Sequence, residues 1–156
     1  MENLQQKAGF LKDQYTTVLR GLSADAPRKW GKMNVQQMIE HMADYVRIAS
    51  GKTLMEIVTP EDRLPRLRGF LESEKPFPEN TPNVLMPEEP LPTRHSSKDE
   101  AINELQAELG HFFQVHEQEA GKVTPNPFFG DLVYEQQVQL LHKHATHHLR
   151  QFGLDY

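Results

Sequence analysis

The amino-acid sequence predicts an all-α protein, a four-helix bundle with a long proline-rich crossover between the second and third helices. Four stretches carry apolar residues at steps of three and four, the spacing of one face of an α-helix. Eight of the eleven prolines lie between Pro60 and Pro92, where they interrupt any long helix and disfavour an interior strand. No convincing strand pattern and no internal repeat is present. A chain of 156 residues can form one domain, which we expect to span residues 1–156.

The first two helices have clear ends in the sequence. The first is expected from about Glu2 to Gly21. The second follows Met33, because Asn34 can cap it and Gln37 can complete a capping box, and Gly51 is its expected end. Their apolar faces comprise Leu4, Ala8, Leu11, Tyr15, Val18 and Leu22 in the first helix and Val35, Met38, Met42, Tyr45 and Ala49 in the second.

The segment from Thr59 to about Ser96 is the predicted crossover. Two interpretations compete: a tether that links domains, and an ordered loop wrapped across the bundle. A free tether would not need apolar anchors, so their presence favours the wrapped loop, with one short helical turn near residues 65–71. These anchors are Phe70, Leu71, Phe77, Val84, Leu85 and Met86.

The last two helices follow the crossover. A capping box at Ser97-Lys-Asp-Glu100 begins the third helix, which ends near Gly121. A rigid, turn-rich segment over 124–130 leads to the last helix, expected from about Val133 to Phe152. The apolar stripe of the third helix is Ile102, Leu105, Leu109, Phe112 and Phe113.

The composition excludes several classes of protein. With no cysteine, the chain has no disulfide, thiolate metal ligand, iron–sulfur cluster or cysteine nucleophile. A net charge of −5 with scattered lysine and arginine argues against a nucleic-acid partner. The sequence begins with no signal peptide and contains no apolar run that could span a membrane, so we expect a cytoplasmic protein.

A group of histidines near the end of the last helix is the strongest functional signal. His144 and His148 are four residues apart, which places them on one helix face, about 5–6 Å apart between Cβ atoms. With this spacing a helix presents two imidazoles to one metal ion. His41 on the second helix is the expected third ligand. The alternative is that these are boundary residues with ordinary hydrogen bonds, but three together favour a three-histidine metal site.

A helical wheel separates the histidines of the last helix. His144 and His148 lie within about 40–80° of the apolar centre, whereas His147 lies farther out and His142 points towards solvent. His147 is a candidate general base beside a metal-bound water. Gln151 lies on the same side as His144 and is a candidate for orienting a ligand or contacting substrate.

The remaining polar candidates carry weaker signals. Asp44, one turn after His41, could orient that imidazole, although a solvated carboxylate is the commoner case. His116 is either a fourth ligand or a packed histidine near a helix end, and we favour packing. His95 and His111 have no assigned role.

Three segments together resemble the DinB-like (YfiT-like) superfamily of metalloenzymes, and one branch of it in particular. They are the run from Trp30 to His41, the Asn126-Pro-Phe-Phe-Gly130 turn, and the run from His144 to Gly153. Their order and spacing agree across most of the chain. By this resemblance, the ligand positions fall on His41, His144 and His148. Members of the branch often have histidine where this chain has Asn126.

The resemblance implies an up-down-down-up bundle that binds a divalent metal such as zinc or nickel, often with an open coordination position. Characterised relatives include thiol-dependent transferases and an isomerase that use bacillithiol, mycothiol or glutathione, and relatives are often homodimers. Two functions remain: a metal-dependent enzyme, such as a thiol-dependent S-transferase or a hydrolase acting on a small molecule, and a non-catalytic or structural metal-binding protein. An open site of three ligands favours the enzyme, because structural zinc is normally closed by four.

Overall fold

The computed structural model describes residues 1–81 and 85–156, and it confirms the predicted all-α class. The first helix, α1, is interrupted by a π-helical turn, and a short hairpin, β1–β2, precedes the last helix. The elements are α1 (Leu4–Gly9, Phe10–Gln14 and Tyr15–Gly21), α2 (Val35–Ser50), α3 (Leu64–Glu72, after a 3₁₀ turn at Glu61–Arg63), α4 (Lys98–Gln118), β1 (Thr124–Asn126), β2 (Gly130–Leu132) and α5 (Tyr134–Gln151).

The caps of α2 and α4 show how the sequence sets the helix ends. The Asn34 side chain accepts from the Gln37 amide at 2.8 Å, and the Gln37 side chain accepts from the Asn34 amide at 2.9 Å, which confirms the predicted capping box. In α4, Ser97 caps the Glu100 amide as predicted. The Glu100 carboxylate instead accepts from the amide and hydroxyl of Ser96, which offers it two donors.

The turn-rich segment before α5 forms a β-hairpin, so the expectation of no strand is wrong. Its strands are antiparallel, with Thr124 opposite Leu132 and Asn126 opposite Gly130. Each has three residues, too few to produce a visible alternation of apolar and polar side chains. The Asn126 side chain closes the turn by accepting from the Phe128 and Phe129 amides.

The crossover is wrapped against the helices, as the apolar anchors predict. The predicted short turn is the nine-residue helix α3, in which Leu71 is completely buried. Leu71 forms a second hydrophobic cluster with Phe129, Leu132 and Leu140, so α3 packs on the hairpin and on α5. Of the other anchors, Leu85 is exposed and Val84 lies outside the described residues.

Hydrogen bonds tie the end of the crossover to α2. The Gln37 side chain donates to the Leu91 carbonyl at 3.0 Å, and the Arg94 amide donates to the buried carboxylate of Glu40. His95, which had no predicted role, is bonded to Glu104 of α4 at 2.7 Å. This end of the crossover is therefore hydrogen-bonded to both α2 and α4.

All four long helices contribute to the main hydrophobic core. Its fully buried members include Tyr15 from α1, Met38 from α2, Phe112 from α4 and Leu149 from α5. The up-down-down-up order of these helices stays a prediction. Within the described ranges, no helix is long and apolar enough to cross a membrane.

Lys143 of α5 hydrogen-bonds to the C-terminal end of the crossover helix α3. Its buried ammonium group donates to the carbonyls of Phe70, Leu71 and Ser73 at the end of α3, at 2.6, 3.2 and 2.7 Å, and lies 4.3 Å from the centre of the Phe70 ring. The Phe70 carbonyl also accepts from the amide and hydroxyl of Ser73, and the Ser73 carbonyl also accepts from Gln139. Lys143 adds to these bonds and supplies a donor to the buried Leu71 carbonyl near the helix C-terminus. One long side chain thus attaches α3 to α5.

We expect Lys143→Met to lower the free energy of unfolding by about 1–3 kcal/mol, because the buried Leu71 carbonyl loses the Lys143 donor and the Phe70 and Ser73 carbonyls each lose a charge-assisted bond. Urea denaturation measures the change. The exposed Lys12 provides the matched control, and Lys12→Met should change stability by less than about 0.5 kcal/mol. Equal stabilities of the two variants would contradict the role assigned to Lys143.

Candidate metal centre

The structure brings together the three histidines that the sequence singled out. His41 comes from α2, and His144 and His148 come from successive turns of α5. One ring nitrogen from each lies within 4.8 Å of the others, and the Nε2 atoms of His41 and His144 are 3.0 Å apart. This group could hold a metal ion. No other histidine, aspartate or glutamate among the described residues joins the group.

His148 shows most directly that the group suits a metal. Its Nδ1 lies 2.7 Å from Oε1 of Gln151. Because an amide oxygen only accepts, Nδ1 carries the proton and Nε2 presents a lone pair. That Nε2 atom is buried and has no hydrogen-bond partner among the described residues. An unpartnered buried polar atom is costly, and a divalent ion would use the lone pair.

Both ends of the Gln151 side-chain amide are hydrogen-bonded, and this fixes the orientation of the His148 ring. While Oε1 binds the imidazole, Nε2 donates to the Trp30 carbonyl at 3.0 Å. Gly31 makes this approach feasible: it has φ +77, and a Cβ there would lie 2.6 Å from the Gln151 amide nitrogen. The structure therefore places Gln151 in the orienting role that the sequence suggested.

Gln151→Leu should weaken zinc binding by about 10- to 100-fold, the usual effect of losing a group that orients a ligand. The substitution keeps the volume but removes the acceptor that selects the His148 tautomer. Competition with a chromogenic chelator measures the affinity. Gln114 is exposed on α4, so Gln114→Leu is the matched control and should bind zinc like the wild type. Unchanged affinity in Gln151→Leu would contradict the assigned role.

Burial keeps all three imidazoles neutral near pH 7. Burial, together with a smaller repulsion from the nearby His147, lowers the pKa of His41 to about 4. Burial also lowers the pKa of His144 and His148 well below 6.5, with added repulsion from the neighbouring imidazoles. Metal ligands must be deprotonated. Because His41 and His144 share a proton between their Nε2 atoms, one of them would change tautomer on binding, but no imidazolium would have to lose a proton first.

Neither of the two alternatives left open for Asp44, orienting His41 or remaining solvated, describes its contacts in the structure. The Asp44 carboxylate instead accepts from Arg47 at 2.8 Å and pairs with Arg94 at 3.3 Å. Both arginines also contact Glu104 of α4. Because these cations surround Asp44, the carboxylate belongs to an ion-pair network between α2, α4 and the crossover.

His116 is a packed histidine, the alternative that the sequence favoured. Its Nε2 lies 3.1 Å from the Ala49 carbonyl, and its ring contacts Phe112 at a centroid distance of 4.7 Å. It does not belong to the three-histidine group. The hypothesis of a fourth ligand at His116 is therefore wrong.

The two remaining histidines of α5 lie in different environments. His142 is half-buried with its ring 5.6 Å from that of Phe10, so the prediction that it points to solvent is wrong. The wheel shows only the helix's own faces, and α1 covers this one. His147 is also half-buried, between Trp30 and Phe77, at centroid distances of 5.4 and 6.0 Å.

The three histidines line a cavity of about 740 Å³. Its walls come from α2, α3, α5, the hairpin and the crossover, and Asn126 is among them. The sequence singled out Phe70 and Phe77 as anchors of the crossover, but it did not indicate that aromatic side chains would line the site, because these residues lie far apart in the chain and follow no common period. They include Trp30, Phe70, Phe77, Phe128 and Phe129.

Comparisons with known proteins agree with this geometry. A family model described as the DinB superfamily matches residues 11–152, which include all three histidines. The searches of curated proteins and of solved structures found no match. Because the family model spans most of the chain, the protein belongs to the DinB superfamily.

Proposed function

We propose that this protein is a divalent-metal-dependent enzyme in which His41, His144 and His148 hold zinc or nickel. The observation that carries the proposal is the buried, unpartnered Nε2 of His148, placed with two other neutral imidazoles at the wall of a cavity. His116 and His147 also each have a buried nitrogen with no hydrogen-bond partner among the described residues, but neither belongs to the three-histidine group. The unpartnered nitrogen of His148 therefore supports a metal because two other imidazoles converge with it.

The residues around the three histidines orient the imidazole rings. Gln151 holds the proton of His148 at Nδ1, and the ring of Tyr45 packs on His41 and His144 at 4.9 Å from each. When bound, a divalent ion supplies Lewis acidity that favours the deprotonated form of a water or a thiol. The cavity beside it has room for a small-molecule substrate. This chemistry suits a thiol-dependent S-transferase or a hydrolase.

A non-catalytic structural metal site is less well supported. Structural zinc is normally closed by four protein ligands. Within the described ranges the group offers three, and His116 is committed to the Ala49 carbonyl. A set of three histidine ligands at the wall of a cavity would favour catalysis over a structural role.

Elemental analysis of protein purified without an affinity tag tests the proposal. The wild type should retain about one equivalent of zinc or nickel, and His41→Ala and His148→Ala should each lose it. His111 is half-buried on α4 outside the group, so His111→Ala is the matched control and should retain the metal. Absence of metal from the wild type, even after reconstitution, would overturn the proposal.

Activity is tested next on the loaded wild type. Transfer of a low-molecular-weight thiol to an electrophilic substrate and hydrolysis of activated esters are the two assays. His148→Ala should abolish whichever activity is found, whereas His111→Ala should keep it. An activity that survives His148→Ala would not come from this site.

A further inference from the structure

The wall of the cavity restricts what its substrate can be. Besides the histidines, the described lining residues include one cation, Lys32, and one anion, Glu88. They lie 3.8 Å apart, and Lys32 also pairs with Glu89 at 2.7 Å. The Lys32 side chain is half exposed and that of Glu88 almost fully exposed, so the pair lies where the cavity opens to solvent. The opening therefore carries one ammonium group paired with two carboxylates, and among the described residues the interior wall carries no charged side chain.

The interior wall is instead mainly aromatic and aliphatic, with a few neutral polar side chains such as Thr59 and Asn126. Side chains from the turn before α2, the crossover helix, the crossover itself and the hairpin face the same space. They include Trp30, Met33, Leu67, Phe77, Met86 and Phe128. A ligand gains free energy here by removing apolar surface from water, whereas a ligand rich in hydroxyl groups or charges would leave many of its polar atoms unpaired.

The histidine group favours a charged part on the ligand, in contrast to the apolar wall. Three neutral imidazoles do not compensate the charge of a divalent ion. The two acidic residues of α2 do not compensate it, because Glu40 accepts from the Arg94 amide and Asp44 is paired with Arg47 and Arg94. A positive charge beside an apolar cavity favours an anionic group on the ligand, since the interaction is weakly screened there.

We infer that the substrate is an amphipathic organic anion, with one negatively charged head at the three histidines and an aromatic or alkyl body against the apolar wall. The charged head of this substrate is inferred from the metal site, so that part rests on the proposed function. The apolar body is inferred from the cavity alone. A thiolate and a carboxylate satisfy the head equally well. A second charge on the body would find no unpaired cation among the described lining residues.

Trp30 provides a direct measurement, because it is the only tryptophan of the chain and lines the cavity. Its fluorescence is titrated with phenylacetate, phenylpropanoate and phenylbutanoate, in metal-free and in zinc-loaded protein. Each added methylene should tighten binding by about three- to fourfold in both forms. Zinc should tighten the binding of phenylbutanoate but not of the neutral phenylbutanol. Succinate, which is polar throughout, should bind more weakly than phenylbutanoate.

Matched substitutions locate the binding surface. Met86→Gln and Met33→Gln change the cavity wall on two different segments, and each should weaken phenylbutanoate binding by about threefold or more. Met55 is half-buried but does not line the cavity, so Met55→Gln should bind phenylbutanoate like the wild type. The use of two wall variants protects the test against one that misfolds.

Two results would overturn the inference. One is an affinity that does not depend on chain length. The other is equal weakening by Met55→Gln and by the wall variants. Failure to retain zinc would instead overturn the proposed function together with the assignment of the head, and the length dependence in metal-free protein would still decide the apolar body.

Discussion

Zinc should raise the free energy of unfolding of the metal-free protein by about 2.7 kcal/mol when its free concentration is a hundred times the dissociation constant. The stabilisation arises because the folded state gathers ligands that are far apart in the unfolded chain: His41 and His144 are 103 residues apart. In His148→Ala, one of three ligands is missing and the zinc-dependent gain should largely disappear. Urea denaturation at several fixed zinc concentrations measures both effects.

The control for this prediction is His111→Ala, which removes a half-buried histidine of α4 and leaves the group intact. Its stability should increase with zinc in parallel with the wild type. If His148→Ala gained as much stability as the wild type, zinc would be bound elsewhere on the folded chain. If no variant and no wild-type sample responded, the three histidines would have no thermodynamic role in metal binding.

Features that depend on neighbours along the chain were predictable from the sequence. The capping box at Asn34 and Gln37 requires two residues three apart, and the pairing of His144 with His148 requires two residues four apart. The density of prolines located the crossover because each proline restricts its own backbone. The family match then agrees with the interpretation of the histidines.

Features that depend on packing between distant segments were not predictable. A helical wheel of α5 places His142 on the polar face, but Phe10 of α1 packs against its ring. Asp44 has the right spacing to serve His41, yet Arg94, fifty residues later, is one of the cations that pair with it. The walls of the cavity are equally non-local. A sequence shows which residues could form a site, whereas the competing partners appear only in the folded chain.

Acid should destabilise the metal-free protein in two separate pH ranges. The first belongs to the buried histidines: since the folded-state pKa of His41 is about 4 against an ordinary 6.5, the unfolded chain binds the extra proton between these values. His41 therefore contributes stability above pH 6.5 that is lost as the pH falls to about 4. This shift corresponds to about 3 kcal/mol. His144 and His148 are shifted in the same direction and add to the loss.

The second range belongs to the carboxylates. Burial alone would raise the pKa of Glu104, but hydrogen bonds from His95, Arg94 and Arg47 outweigh it and lower the pKa to about 2. Its contribution therefore persists above pH 4.5 and is lost as the pH falls towards 2. Bound zinc should make the histidine range steeper, because protons then compete with the metal for the same nitrogens.

Urea denaturation of the metal-free protein at each pH separates the two ranges. His41→Gln removes one titrating group, so between pH 6.5 and 4 its stability should depend on pH less steeply, by up to about 1.4 kcal/mol per pH unit. Below pH 4 the stabilities of the two proteins should fall with pH at the same rate, because Glu104 is unchanged. Identical slopes between pH 6.5 and 4 would mean that His41 already has its ordinary pKa in the folded protein. The imidazole would then be hydrated and charged in acid rather than held neutral, and the site would have to deprotonate it before it could bind a metal.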